Sequence, residues 1–97
     1  MSTYILLAHW TDQGIRTVKD SPKRLDAAKA AIKAVGGEIK SFFMTMGKYD
    51  FVVIYEAPDD AAAARFTLTT AQGGNLHGQT LKAFTEGEYR EVLGSLG

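Results

Sequence analysis

The order of the predicted strands and helices is the feature that most constrains how this chain can fold. Runs of β-forming residues with turn signals between them indicate strands, and apolar residues at helical spacing indicate helices. The predicted elements alternate as strand, helix, strand, strand, helix, strand, followed by a short terminal helix. In chain order they span residues 4–10, 21–35, 38–46, 49–56, 60–71, 76–85 and 86–96.

This order leaves few possible topologies. Crossover connections between parallel strands are right-handed in nearly all proteins, so the two β-α-β units interleave in one way. They form a four-stranded antiparallel sheet with both long helices on one face and with strands one and three at the centre. The predicted fold class is therefore α+β, of the ferredoxin-like type. With 97 residues, one domain over 1–97 is expected.

Local signals mark where the elements begin and end. Ser21 is expected to cap the first long helix, and Pro22 suits its first position, where the missing N–H costs nothing. The pair Gly36-Gly37 ends that helix. The polar segment 11–14 is expected to be a turn after strand one, and Gly47-Lys48 a tight connection between strands two and three.

Both central strands are apolar on both faces. Strand one places four residues on one face (Tyr4, Leu6, Ala8, Trp10) and three on the other (Ile5, Leu7, His9). A sheet covered by helices on one side only normally alternates apolar and polar residues. Because monomeric proteins rarely expose a large apolar patch, we expect a homo-oligomer, a dimer whose sheets pack face to face. The alternative is that the C-terminal helix covers this face within one chain.

Charge and composition exclude several classes of protein. Eleven basic residues balance eleven acidic ones, which argues against a nucleic-acid partner. Cysteine is absent, so disulfides, thiol catalysis and Cys-based metal sites are excluded. Met1–Ala8 has no basic residue before its apolar run, and the run is too short to span a membrane. We therefore expect a cytoplasmic protein with no membrane partner.

Three residues are candidates for catalysis. His9 ends strand one, and Tyr49 and Asp50 begin strand three beside Gly47. Histidine can transfer protons near neutral pH, and a tyrosine hydroxyl with a carboxylate can donate and accept protons. The structural alternative is favoured: Gly47 permits an unusual backbone angle, Asp50 bonds nearby amides, and His9 is a hydrogen-bonded strand end.

Metal and ligand sites have weaker signals. His77 could meet His9 if strands one and four pair, and a carboxylate such as Asp12 or Asp50 could complete a metal site. No short ligand spacing supports this, so neither a metal nor another cofactor is predicted. A second group could line a pocket for a small apolar ligand, although core or interface packing is the favoured role: Trp10, Phe42, Phe43 and Met44.

The segment 46–54, followed by 56–60, resembles the GYD family, which is named for a Gly, Tyr, Asp signature. Here those residues are Gly47, Tyr49 and Asp50. Five further segments are also similar to that family: 11–16, 21–24, 36–40, 74–75 and 80–84. His77-Gly78 is less typical. The resemblance implies a ferredoxin-like chain of the dimeric α/β-barrel group, in which two sheets face one another, and it implies no particular activity.

Two functions remain open from the sequence. The first is a homo-oligomeric module that binds a small molecule or a protein. The second is a cofactor-free enzyme of the monooxygenase or isomerase type, acting on a small apolar or aromatic substrate. A cavity reached by His9 or Asp50 would favour the enzyme, and a solid core would exclude it.

Overall fold

A computed structural model describes residues 1–97 of the chain and has one antiparallel sheet of four strands. The strands are β1 (Ser2–Trp10), β2 (Glu38–Met44), β3 (Phe51–Ala57) and β4 (Leu76–Ala83). They lie in the order β2-β3-β1-β4, so β1 and β3 are central. The helices are α1 (Asp12–Arg16), α2 (Ser21–Ala34), α3 (Asp60–Ala71) and α4 (Glu86–Gly94), and a 3₁₀ turn spans Val18–Asp20. The predicted α+β ferredoxin-like fold is confirmed.

The hydrophobic core lies between the sheet and the two long helices, α2 and α3. Its buried residues are Tyr4, Ala8, Ile32, Phe51, Val53, Tyr55, Ala57, Ala62, Ala63 and Phe66. Residues of β3 are alternately buried and half-buried along the whole strand, which is the period-two pattern of a sheet with one covered face. The small side chains of Ala62 and Ala63 let α3 approach the sheet closely.

The other side of the sheet, which we call the open face, has no helix over it. Its central side chains pair across β1 and β3, with Ile5 opposite Ile54 and Leu7 opposite Val52. Phe43 of β2 and Leu81 of β4 extend the apolar surface to the two edges. Helix α4 does not cover this face, because none of its residues is buried. The alternative that the C-terminal helix wraps over the sheet within one chain is therefore wrong.

Two helix starts differ from the expectation. Segment 11–14 is not a simple turn: Thr11 caps α1 by accepting a hydrogen bond from the amide of Gly14 at 3.1 Å. Gly14 is buried, and a Cβ there would overlap the carbonyl oxygen of Asn75. At α2 the N-cap is Asp20, and Ser21 is already helical. The reason is the 3₁₀ turn before α2, which brings the backbone into helical geometry one residue early.

The connection between β2 and β3 is also longer than expected. β2 ends at Met44 and β3 begins at Phe51, so Tyr49 and Asp50 lie in the connection. Gly47 has a φ of 156°, which other residues rarely adopt.

Helix α4 begins with a capping box in which Thr85 and Glu88 bond each other's backbone amides. None of the helices combines the length and the apolar character that crossing a membrane requires.

One hydrogen bond joins the start of α3 to the covered face of the sheet. The Tyr4 hydroxyl donates to Asp60 Oδ1 at 2.6 Å, and Lys82 Nζ lies 3.2 Å from the same oxygen. Burial, together with the bond to Asp60, raises the pKa of Tyr4 from 10.0 to about 12. The bond from Tyr4 and the nearby Lys82 lower the pKa of Asp60.

These shifts predict how the stability of a Tyr4→Phe variant compares with that of the wild type. The raised pKa of Tyr4 stabilises the fold fully below pH 10, and this contribution disappears as the pH rises from 10 to about 12. The lowered pKa of Asp60 stabilises the fold above the ordinary carboxyl range and is lost as the pH falls below about 4. We expect the free energy of unfolding of wild type to exceed that of Tyr4→Phe by the largest amount between about pH 4 and pH 10. Urea unfolding across this pH range measures the difference. Tyr89→Phe, at an exposed position, is the control, and a difference independent of pH would contradict the assignment.

Candidate functional site

The segment that carries the Gly, Tyr, Asp signature, residues 47–50, lies where the end of β1 meets the β2–β3 connection. The backbone amide of Trp10 donates to Asp50 Oδ2 at 2.9 Å. In return, the amide of Asp50 donates to the carbonyl of Ala8 at 2.8 Å, and the amide of Thr45 donates to the carbonyl of Asp50 at 2.9 Å. Asp50 therefore continues the pairing of the strands beyond the last residue of β3, and its carboxylate serves as an acceptor for a backbone amide.

His9 lies at the centre of a small cluster on the open face, which we call the signature cluster: His9, Tyr49, Asp50 and His77. The ring of His9 is 5.0 Å from the ring of Tyr49 and 5.2 Å from that of His77, which is its cross-strand partner on β4. All three residues predicted as catalytic candidates are thus neighbours.

The geometry of the signature cluster does not provide a proton relay. His9 Nδ1 and Asp50 Oδ2 are 3.9 Å apart, which is too far for a hydrogen bond. His77 is exposed, and no group of three or more His, Asp or Glu side chains comes close enough to hold a metal ion. The cluster is a surface feature, whereas catalytic groups normally converge on a pocket.

A cavity of about 250 Å³ lies on the opposite side of the sheet, between its covered face and helices α2 and α3. The sheet contributes Leu6, Trp10, Ile39, Phe42, Phe51, Val53 and Leu76 to its lining, and the helices contribute Leu25, Ala28, Ala31 and Phe66. Polar residues at its boundary are Ser21, Arg24, Thr69, Thr70 and Asn75. The cavity is therefore apolar with a polar boundary, which is typical of a site for a small molecule.

The four residues predicted to line a ligand pocket do not lie together in the structure. Trp10 and Phe42 line the cavity. Phe43 lies on the open face opposite Val52, because successive side chains of a strand point to opposite faces. Met44 is at the end of the edge strand and is 71% exposed. None of the three catalytic candidates lines the cavity, since His9 points away from the face to which Trp10 belongs.

Arg24 is the residue of the cavity that sequence reasoning missed. Its guanidinium lies over the ring of Trp10, 5.5 Å from the ring centroid. Nη1 donates to the carbonyl and hydroxyl of Thr17, and Nη2 donates to the carbonyl of Gly14. Helical spacing puts Leu25, Ala28, Ile32 and Val35 on the apolar face of this helix and predicts Arg24 on one of the polar faces. The only signal in its favour was its place in segment 21–24, one of the short segments that resemble the GYD family.

The hydrogen bond from Trp10 predicts a structural role for Asp50. We expect Asp50→Ala to lower the free energy of unfolding by about 1 kcal/mol, because the amide of Trp10 loses a partly buried, charged acceptor. Asp50→Asn keeps an acceptor oxygen and should lose less. Urea unfolding measures both changes. Asp26→Ala removes a carboxylate from an exposed position of α2 and should have little effect. Equal stability of Asp50→Ala and wild type would contradict this role.

Comparisons with known proteins agree with the fold and with the signature. The family model described as GYD domain matches residues 4–93. A Thermus thermophilus protein named "Glutamine synthetase and cystathionine beta-lyase binding protein" is 33% identical over 84 residues, which are 86% of this chain and 88% of that protein. The crystal structure of TTHA0845, also from Thermus thermophilus, superposes with a TM-score of 0.55 at 18% identity, over 88% of this chain and 95% of that one.

Proposed function

Because this chain belongs to the GYD domain family, we propose that it is a homo-oligomeric, protein-binding module whose copies pair through their open faces. The Thermus thermophilus relative is named as a protein that binds glutamine synthetase and cystathionine beta-lyase. The similarity extends over most of both chains, so no separate domain of the relative is needed to account for binding. Protein binding is therefore the function that this relationship supports best.

The observation that carries the oligomer is the apolar open face. Its central residues are aliphatic on both β1 and β3, and its edges add Phe43 and Leu81, which are 56% and 38% exposed. The long helices α2 and α3 pack on the other face of the sheet, and no residue of α4 is buried. Contiguous apolar surface of this kind is rare on monomers and is typical of an interface. A second copy is the occupant that matches it, because two such faces pack as the two layers of a sheet sandwich.

The accessible surface of the chain supports the same proposal. One chain exposes 6397 Å². This is about 1,000 Å² more than the roughly 5,400 Å² expected for a compact monomer of this mass. Each partner of a stable dimer buries about 800 Å². The excess is thus of the size that a second copy would remove from water, and the resulting assembly is a dimeric α/β barrel.

Helix α4 extends the proposed interface. It follows β4, an edge strand of the sheet, after only Phe84 and Thr85. Its apolar side chains Tyr89, Val92 and Leu93 recur at helical spacing and are exposed, as is Leu96 just beyond the end of the helix. An isolated helix of nine residues is marginal in water, even with a capping box. We therefore propose that α4 packs on the second copy, where it would bury this apolar stripe.

The enzyme alternative lacks comparable support. Its catalytic candidates His9, Tyr49 and Asp50 lie in the signature cluster on the open face, whereas the cavity is on the covered side of the sheet. A sheet-to-sheet dimer would place the signature cluster at the border of the interface, on the other side of the sheet from the cavity. The positions of these residues thus favour a binding module.

The dimer is tested by the mass of the protein in solution. We expect wild type to have at least twice the mass of one 10.5 kDa chain, and Ile54→Glu to be monomeric, because the carboxylate would be buried between the two sheets. Sedimentation equilibrium measures both. Leu68→Glu changes an apolar residue of α3 that is 65% exposed on the helical side, so it should keep the mass of wild type. A wild-type mass of 10.5 kDa, or dissociation by both variants alike, would contradict the proposal.

Protein binding is tested with the partners that the relative's name supplies. Glutamine synthetase and cystathionine beta-lyase from the organism that encodes this chain are purified and titrated against the immobilised protein. We expect saturable binding to at least one of them, with bovine serum albumin as the negative control. Binding to neither enzyme would contradict this part of the proposal and would leave the dimer to be judged by its mass.

A further inference from the structure

The cavity between the sheet and α2 forms because small side chains of α2 face large side chains of the sheet. Ala28 and Ala31 of α2 face the cavity, and across it lie aromatic residues of the sheet, Trp10, Phe42 and Phe51. Protein interiors are normally packed without voids larger than a water molecule. A partly open space of about 250 Å³ between the sheet and its helices is therefore a departure from close packing, in a domain with only 12 buried residues.

The cavity can be reached from solvent between the two long helices. Ala27 of α2 and Thr69 of α3 belong to its lining and are also exposed, so the entrance lies between these helices. An apolar cavity of about 150 Å³ is large enough for benzene. The cavity of this chain therefore has room for one aromatic ring with a short side chain, or for an acyl chain of similar volume.

Arg24 gives this apolar space one specific polar contact. Its two terminal nitrogens are held by Thr17 and Gly14, which fixes the position of the guanidinium. Its remaining donor, Nε–H, is buried and has no hydrogen-bond partner. Buried donors are almost always satisfied in proteins, so an acceptor is missing at this position.

The charge of Arg24 indicates what kind of acceptor is missing. None of the ion pairs of the chain includes Arg24, so no Asp or Glu balances the guanidinium. A guanidinium prefers a carboxylate, with which it makes short, charge-assisted hydrogen bonds. The polar end of the ligand is thus expected to be anionic and to lie beside Trp10, over which Arg24 is stacked.

We infer that this cavity binds a small aryl or short acyl carboxylate, with its apolar part between α2 and the aromatic residues of the sheet and its carboxylate on Arg24 Nε. Because Nε is covered, the ring of Trp10 must shift for the carboxylate to reach it. This site is separate from the open face and does not depend on the proposed dimer or on a protein partner. It adds a small-molecule site to a chain whose proposed role is protein binding.

The test uses Trp10, which is the only tryptophan of the chain and lines the cavity. The probe is 3-phenylpropanoate, and its neutral counterpart is 3-phenylpropan-1-ol. We expect a saturable change in tryptophan fluorescence below about 10 mM probe, with the carboxylate bound more tightly than the alcohol. In the ¹H–¹⁵N spectrum, the Arg24 Nε–H resonance should move with the carboxylate and stay in place with the alcohol.

Two variants test the contact with the carboxylate and the volume of the cavity separately. Arg24→Met keeps an apolar stem and should weaken binding of 3-phenylpropanoate about tenfold or more, while binding of the alcohol changes by less than about twofold. Ala28→Leu fills the cavity and should abolish binding of both probes. Ala30→Leu, on the exposed side of the same helix, is the matched control and should bind as wild type does. Circular dichroism verifies that each variant is folded.

Three results would overturn the inference. The first is no saturable fluorescence change with wild type up to about 10 mM probe. The second is equal weakening by Ala28→Leu and Ala30→Leu, which would place the probe outside the cavity. The third is equal affinity for acid and alcohol with an unmoved Arg24 Nε–H resonance, which would mean that the ring of Trp10 alone satisfies the guanidinium. If Ala28→Leu fails to fold, the Arg24→Met titrations and the Nε–H resonance decide.

Discussion

The antiparallel pairing of β1 with β3 is the interaction on which the rest of this structure depends. Seven residue pairs join the two strands, and the five from Tyr4–Tyr55 to Ala8–Phe51 place apolar side chains on both sides of the sheet. One register therefore builds two surfaces at once. Tyr4 and Tyr55 stack within the core, while Ile5 and Ile54 meet on the open face. A slip of one residue would exchange the two surfaces, and the register is specified because only one of them fits the helices.

Much of the fold follows from residue pattern alone. The order of strands and helices, the central position of β1 and β3 and the two sets of side chains on β1 were predictable, because alternation along a strand is a local property. What the pattern could not supply was the geometry between elements. The predicted role of Ser21 as a cap is wrong because a 3₁₀ turn precedes α2, and α1 was hidden in a segment whose Thr and Asp are equally typical of a turn.

The candidate site was less predictable for a physical reason. The neighbourhood of His9, Tyr49 and Asp50 follows from strand order, and the structure brings them together. The cavity depends instead on how far α2 and α3 stand from the sheet, which is set by side-chain volumes summed over many positions. Arg24 illustrates the limit: helical periodicity places it among exposed lysines, yet its Nε is buried because the ring of Trp10 and the carbonyls of Gly14 and Thr17 surround the guanidinium.

The family signature and the cavity are linked through Trp10, although they lie on opposite sides of the sheet. The carboxylate of Asp50 holds the backbone amide of Trp10 on the open side, and the ring of Trp10 forms one wall of the cavity on the other. The guanidinium of Arg24 lies over the same ring, and its Nη2 donates a hydrogen bond to the carbonyl of Gly14 in α1. A residue of the signature thus fixes the strand end from which the cavity is built. On this argument, Asp50 belongs to the signature because it positions Trp10, and no chemistry at the carboxylate is required to explain its presence.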